Sequence, residues 1–492
     1  MSPHGSVVDR DWGLVVDGEV ETEPCSETIT VRNPATGERI TEAPAATSGD
    51  VDRAVRAARA TAEEWRRLPT TERADLLRGV ASRIESHTEE LTDIETLENG
   101  KPRGQAANDV RVAAQRFRFF AGGVDKFYGD NVAFDREQVR TKTYEPYGVV
   151  GVIIPWNWPA MHTGDFLAAP LAAGNTVVLK PAPETPLTSL RMAELLAEVL
   201  PDGVVNVVSG GPEAGEALVG HPDVDKVAFT GSDATGEKVL KTAAANITPA
   251  MLELGGKNPA IVFPDADLDA ALETVVANAY FNSGQACTNP ERLLLHESIH
   301  DEFLTRFGER VADLQVGDPT AEGTQIGPLA SRAQLERVTE YVELAREEGA
   351  REIASADLPT DPDLADGNWV APTVFGDVTP DMRVAQEEVF GPFVGAIPFS
   401  DETDAIEIAN DVEYGLSAAV FTKDIDRAHR VADALRAGIV GINHPSLTWQ
   451  GLPFGGVKRS GMGRKNDFPE AMREFSQPKS IELDLTGDTL SL

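Results

Sequence analysis

The chain has 492 residues, more than one hydrophobic core of roughly 250–300 residues organises, so at least two domains are expected. Apolar residues make up 41% and charged residues 25%, an ordinary globular balance that excludes a chain disordered throughout or a collagen-like one. Eighty acidic against 44 basic residues give a formal net charge of -36, which repels phosphate backbones and anionic lipid, so neither nucleic acid nor a membrane surface is an expected partner.

In chain order, Met1–Gly13 lacks a basic stretch followed by an apolar core and does not read as a signal peptide. From Asp50 to about Gly129 apolar residues recur at helical spacing: Val51, Val55 and Ala58, then Leu76, Leu77, Val80 and Ile84, then Phe117 and Phe120. Residues Gln138–Pro146 alternate and predict an extended excursion. From Gly148 short apolar runs alternate with helical stretches. Strands are predicted at Val149–Ile154, Thr176–Leu179, Val204–Val208, Lys226–Phe229 and Ala260–Phe263. Helices are predicted near Ser189–Val199, Glu213–Val219, Ala234–Ala244 and Leu268–Phe281. This alternation predicts an α/β fold with a parallel, doubly wound sheet. A second α/β stretch follows from Arg292 to about Val440, with strands near Arg292–Leu295, Thr373–Phe375 and Ser417–Phe421. The alternating tail Ile481–Leu485 is a strand with no local partner, which invites pairing with another region or another chain.

No apolar run reaches the ~18–20 residues of a membrane helix. The best candidate, Val149–Met161, is broken by Gly151, Pro155, Asn157 and Pro159. The two cysteines, Cys25 and Cys287, cannot make a disulfide framework for this length, which points to a reducing cytoplasm. The acidity is dispersed and about a dozen of the 44 basic residues are lysine. Such a surface suits a salt-rich cytoplasm, where screening acts over about 3 Å at 1 M salt, so a halophilic protein is expected.

Several local patterns carry chemistry. Glycine pairs follow two predicted strands, Gly211 with Gly215 and Gly231 with Gly236, each at a helix start where amide groups favour an anion. The second superficially resembles a P-loop, but Glu237 stands where Gly-Lys-Ser/Thr is required. His296-Glu-Ser-Ile-His300 matches a zinc-protease signature. The preceding residues read as a strand, and Ser298 with Asp301 reads as the start of the next helix, so the two imidazoles do not converge and no metal is predicted. Cys287 follows Gly284-Gln-Ala in a polar turn that would expose a thiol. Glu253 is an acid at the end of an apolar strand, unfavourable unless paired or functional. Pro155-Trp-Asn-Trp-Pro159 is a stiff loop carrying a side-chain amide, and Glu387–Pro392 and Pro453–Gly461 are further Gly/Pro-fixed loops.

Together these segments resemble the aldehyde dehydrogenase superfamily from about Trp12 onward. The shared motifs are Pro155-Trp-Asn157, Lys180-Pro-Ala, Phe229-Thr-Gly-Ser232, Glu253-Leu-Gly-Gly-Lys257, Gly284-Gln-Ala-Cys287, Glu388-Val-Phe-Gly-Pro392 and Pro453-Phe-Gly-Gly456, in family order. The resemblance implies that Cys287 is the nucleophile attacking an aldehyde, that Asn157 helps hold the oxyanion, and that Glu253 activates the water that hydrolyses the thioester. Relatives that pass the acyl group to coenzyme A typically lack this glutamate, so the hydrolytic branch is implied. It further implies NAD as cofactor, with NADP as the alternative. Lys180, Gly211, Gly215, Gly231 and Ser232 would lie along its adenosine and pyrophosphate, and Trp156, Glu388 and Phe390 at its nicotinamide end. Many NAD-preferring members carry Glu three residues after the lysine; here Pro183 stands there and Glu184 follows. Trp158, Phe281, Trp449 and Phe454 are the substrate-pocket candidates, with a core role equally open for Phe281, and no arginine pair for a dicarboxylic semialdehyde stands out. The implied architecture is a Rossmann-like cofactor domain (13–128 and 147–254), an α/β catalytic domain (255–459), and a β-strand arm (129–146 and 472–492) that makes a homodimer or homotetramer.

Overall fold

The computed structural model describes residue 7 and residues 10–22, 27–132, 138–445 and 450–485. Within them the fold is α/β, built on two large sheets. The first has eight strands, and five of them run parallel in the order Ala250–Glu253, Lys226–Thr230, Val149–Ile153, Thr176–Lys180 and Val205–Val207. Antiparallel pieces close its edges: Gly461–Met462 beside Ala250–Glu253, and Leu14–Val16 with Glu19–Glu21 beyond Val205–Val207. The second sheet has seven strands. Thr373–Gly376, Phe393–Phe399, Pro290–His296, Asn258–Val262, Ser417–Phe421 and Ile439–Ile442 run parallel, and Arg351–Ser355 is antiparallel at the edge.

Continuous apolar strands make such sheets because both faces are covered. Val150, Val152, Val177 and Leu179 pack into one core, while Val149 and Val178 join another on the opposite face. The second sheet repeats this, with Val262 and Leu293 on one side and Ile261 and Leu294 on the other. Each such side chain contributes roughly 1.5–3 kcal/mol by leaving water. The predicted helical N-terminal region is four helices, Ser48–Arg67, Thr70–Ser86, Thr88–Asn99 and Arg103–Gly123. Thr47 and Asp50 form a reciprocal capping box at the first.

The predicted extended excursion is the strand Gln138–Pro146. It pairs antiparallel with the C-terminal strand Ser476–Asp484 over nine residues, so the tail's partner lies in this same chain. The predicted helix Leu268–Phe281 stops earlier, at Ala279. There the backbone turns left-handed at Asn282, Ser283 and Gly284, a conformation periodicity does not register. The predicted cap is also corrected. Ile299 precedes the helix His300–Ala312 without a side-chain cap, and the Ser298 hydroxyl bonds His296 Nδ1 at 2.8 Å instead. His296 ends a strand and His300 opens that helix.

Candidate active site

Five segments reach one region from the carboxyl ends of parallel strands in the first sheet, the usual place for a ligand in such folds. They are Pro155–Pro159 after Val149–Ile153, Lys180, Gly211 after Val205–Val207, Gly231 with Ser232 after Lys226–Thr230, and Glu253. Facing them are segments that lead into strands of the second sheet: Cys287 before Pro290–His296, and Glu388 with Phe390 before Phe393–Phe399.

The first part is a cleft of about 780 Å³, lined among others by Trp156, Lys180, Glu184, Gly211, Gly215, Gly231 and Ser232. Two helices begin on it. Gly211 precedes Pro212–Val219, and Ser232 caps Asp233–Ala244 with its Oγ accepting from Thr235 N at 3.3 Å. Their amide ends suit an anion. Gly211 has open space where a Cβ would stand, whereas a Cβ at Gly231 would meet the Phe229 ring. Lys180 is buried, and Nζ donates to Gly210 O at 2.6 Å and Pro181 O at 2.9 Å. Burial lowers its pKa to about 8. Glu184 is half-buried and turns to the cleft beside Lys180.

Trp156 meets Phe390 edge-on, with ring centroids 5.5 Å apart. Phe390 is itself held at a positive φ of 62°. Its amide donates to Glu291 Oε1 at 2.7 Å and its carbonyl accepts from Gln334 Nε2 at 2.7 Å. Glu291 also accepts from Val389 N at 2.9 Å and is paired with buried Lys257. That ion pair therefore shapes the loop from behind. Glu388 Oε1 accepts from Gly256 N at 2.8 Å, and Gly255 leaves the room its carboxylate occupies. Burial, then the nearby Glu291 charge, push Glu388 up to about 8.

The second part is a cavity of about 290 Å³ that contains Cys287 in its wall with Trp158, Phe281, His162, Asp165, Phe454, Lys465 and the rim residue Arg111. Trp158 stacks on Phe281 at 5.5 Å, so Phe281 faces the cavity rather than only the core. Trp449 lies outside the described residues, as does Cys25. Cys287 is half-buried, less exposed than its polar turn suggests, and burial pushes its thiol up to about 12. Gly284 at φ 74° lets this turn close against Gly391, where any side chain would collide with the Gly391 carbonyl. Asn258 Nδ2 fixes the turn's exit by donating to Cys287 O at 2.8 Å and Asn289 O at 2.9 Å.

Asn157 Nδ2 donates to Gln285 O at 3.0 Å, which uses one of its two hydrogens and holds the amide beside the cysteine turn. Glu253 is 3% exposed, neither carboxylate oxygen has a hydrogen-bond partner among the described residues, and burial raises its pKa to about 8. An unpaired buried carboxyl is unfavourable for folding and is characteristic of a group kept for chemistry.

The motif reading passed over the residues that hold this loop. Lys101 Nζ donates to Asn157 O at 2.9 Å, pairs with Glu95 at 2.8 Å and Asp109 at 2.5 Å, and lies 4.2 Å from the Trp158 ring centre. Asn99 Nδ2 donates to Trp156 O at 2.9 Å, and Glu98 accepts from the amides of Leu187 and Thr188. Asp165 lies between Arg116, 2.6 Å away, and Lys465, 3.1 Å away. The only sequence signal was a cluster of polar residues, Glu95 to Lys101, inside a helical pattern.

Residues 21–481 match the aldehyde dehydrogenase family. An aldehyde dehydrogenase from Didymella fabae is 40% identical over 468 residues, covering 94% of each chain. Among solved structures, PnpE from Pseudomonas sp. WBC-3 is 41% identical with a TM-score of 0.95, covering 98% of this chain and 99% of that one. PnpE has also been solved in complex with nicotinamide adenine dinucleotide. The NAD+ complex of an aldehyde dehydrogenase from Bacillus cereus is 38% identical, with a TM-score of 0.95 and 99% of both chains covered. With a family match over nearly all its length and a cysteine cavity beside a nucleotide-sized cleft, the chain belongs to the aldehyde dehydrogenase family.

Proposed function

We propose that this chain oxidises an aldehyde to the carboxylic acid with reduction of NAD, through a thiohemiacetal and a thioester on Cys287. The observation that carries the reading is one cavity holding Cys287 among Trp158, Phe281 and Phe454, backed by the unpaired carboxyl of Glu253.

The cofactor suits the cleft. Two helix starts and an open Gly211 accept a pyrophosphate, buried Lys180 and Glu184 offer ribose partners, and the Trp156–Phe390 pair bounds a flat ring. Lys180, Gly211, Gly215, Gly231 and Ser232 would hold the adenosine and pyrophosphate, with Trp156, Glu388 and Phe390 at the nicotinamide end. The chemistry supplied by bound NAD is acceptance of the hydride from the thiohemiacetal carbon, which leaves Cys287 as a thioester.

The residues do the rest. The Cys287 thiol gives its proton to water as sulfur bonds the carbonyl carbon and the carbonyl π electrons move to oxygen. The second Nδ2 hydrogen of Asn157 and the Cys287 backbone N–H stabilise that oxygen; one such donor is worth about 3–4 kcal/mol. Glu253 then takes a proton from the water that attacks the thioester, and the departing thiolate is returned. Its pKa near 8 puts the base form within reach at neutral to mildly alkaline pH. The Lys101 cluster keeps Asn157 in place.

The domain assignment in this proposal is 13–128 with 147–254 for the cofactor, 255–459 for catalysis, and 129–146 with 472–492 as an arm. Ile481, Leu483 and Leu485 are each about half exposed on that arm, which supports a homodimer or homotetramer. None of the described helices is long and apolar enough to cross a membrane. We place the protein in a salt-rich cytoplasm on its dispersed acidity. The test is the appearance of NADH with a panel of aldehydes in high salt. Oxidation that requires Cys287 and yields free acid is expected; no NADH with any aldehyde, or a product that appears only with coenzyme A, would overturn the reading.

A further inference from the structure

The cavity wall holds three basic side chains that no step above uses: Arg111, His162 and Lys465. Lys465 is 4% exposed, and its Nζ lies 4.6 Å and 5.0 Å from the ring centres of Phe166 and Phe454. Its one ion-pair partner among the described residues, Asp165, is shared with Arg116, itself 2% exposed. Burial works against the charge on Asp165, yet Arg116 and Lys465 hold its pKa down to about 2, so it is ionised. Two cations on one carboxylate leave one positive charge in excess, buried and facing the cavity. Such a charge is unfavourable unless an anion answers it.

The rest of the wall does not supply that anion, and the carboxyl of Glu253, which also feels the Lys465 charge, is pushed up by burial to about 8 and is protonated at neutral pH. The other carboxyl in the wall, Asp109, is engaged by Lys101, and burial raises its pKa well above the usual range. His162 is 4% exposed, with neither ring nitrogen bonded among the described residues. Burial and then the Lys465 charge keep it neutral, so it offers one donor and one acceptor to whatever enters. At the rim, exposed Arg111 donates to the neutral amide oxygen of Asn108 at 2.5 Å.

We propose that the preferred substrate is a short aldehyde bearing a carboxylate, received by Lys465 and Arg111 with His162 as its neutral hydrogen-bond partner. This rests on the dehydrogenase reading of the site and names its substrate class. The single excess charge matches a carboxylate better than a phosphate dianion, and about 290 Å³ is small for a ligand pocket, which suits a chain of few atoms.

The experiment compares kcat/KM for succinic semialdehyde and butanal, and for glutaric semialdehyde and pentanal, with glyceraldehyde 3-phosphate as the phosphate arm. The wild type is expected to favour the carboxylated member of each pair about tenfold or more. Arg111→Gln and Lys465→Met should each lower that ratio about tenfold, and Lys465→Arg should restore most of it. Because the readout is a ratio within one variant, a general loss of catalysis cancels. If Lys465→Met does not fold, the exposed Arg111→Gln still decides. A wild-type ratio at or below one, or a ratio that survives both substitutions, would overturn the proposal, and faster turnover of the phosphate aldehyde would overturn the choice of carboxylate. Brisk oxidation of the neutral aldehydes without preference would leave the dehydrogenase reading standing, whereas no NADH from any of them would remove both.

Discussion

The cleft proposed for the cofactor and the cavity proposed for the substrate both border the Pro155–Pro159 loop, yet they are made differently. The cleft combines two helix starts and three glycines with side chains such as Trp156, Glu184 and Phe229, and its Lys180 is bonded to two backbone carbonyls. The cavity is made of side chains, and its wall includes charges held by other charges, Lys101 with Glu95 and Asp109, and Asp165 with Arg116 and Lys465. The helix starts and glycines are fixed by the fold and suit the pyrophosphate that NAD and NADP share. A side-chain site can be recharged one residue at a time without moving a strand. The difference teaches that selectivity for the aldehyde and affinity for the cofactor are separately adjustable here.

The sharpest way to break that separation is Cys287→Ala. Turnover should fall on the order of 10⁴-fold or more, while NAD affinity measured by calorimetry stays within about threefold. Weakened NAD binding of the same size as the activity loss would show the two parts to be one.

Glu253→Gln comes next, with a steady-state loss of about 10²–10⁴-fold and a preserved first burst of NADH in stopped flow. It also has a signature in stability. Glu253 titrates near 8 in the folded chain against 4.5 ordinarily, so the folded state holds a proton that the unfolded state releases. The wild type therefore loses stability as pH rises from about 4.5 to about 8, and the amide does not. The variant should melt higher than wild type at pH 8.5 and about equally at pH 4.5. Wild-type kcat should climb with pH and level off above about 8.

Pro183→Glu probes the cleft alone. Placing a carboxylate near the ribose should raise the NAD over NADP ratio of kcat/KM by roughly tenfold to a hundredfold. Glu184 already turns to the cleft beside Lys180, so NAD should be favoured in the wild type as well. A tenfold wild-type preference for NADP would contradict this, and an unchanged ratio in the variant would remove position 183 as the selector.

The smallest effect is on neither part. Molar KCl should raise the melting temperature by several degrees by screening a net charge of -36. The buried pairs of the cavity are screened much less, so the carboxylate preference should weaken only modestly in the same series. A melting temperature that is flat or falls with salt would refute the halophilic reading.

What could be read from the sequence follows the same division. Motifs made of Gly, Pro and a fixed polar residue announce themselves, and Cys287, Glu253, Asn157 and Lys180 were legible because each stands in one. The parallel sheet was legible because fully buried strands are short apolar runs, as at Val149–Ile153 and Ser417–Phe421. Lys465, Asp165 and Arg116 were not. Each is one charge among many in a chain that is 25% charged, and only the tertiary fold brings them together from three distant segments. The strand Phe393–Phe399 was hidden by Pro398, and the N-terminal strands by their brevity.

The edge strand Gly461–Met462 has a temporal meaning. It pairs with Leu252 and Glu253, and the segment around it brings Phe454 and Lys465 to the cavity. Those residues leave the ribosome long after Cys287. At roughly 5–20 residues per second, the ~170 residues between them take about 10–30 s to synthesise. The arm closes later still, since Ser476–Asp484 must find Gln138–Pro146 across more than 300 residues of chain. For that interval the growing polypeptide carries Cys287 and Glu253 without the strand and side chains that enclose them. The enzyme is thus completed from its tail, and a nascent chain stalled before residue 461 displays a cysteine that the finished protein keeps half-covered.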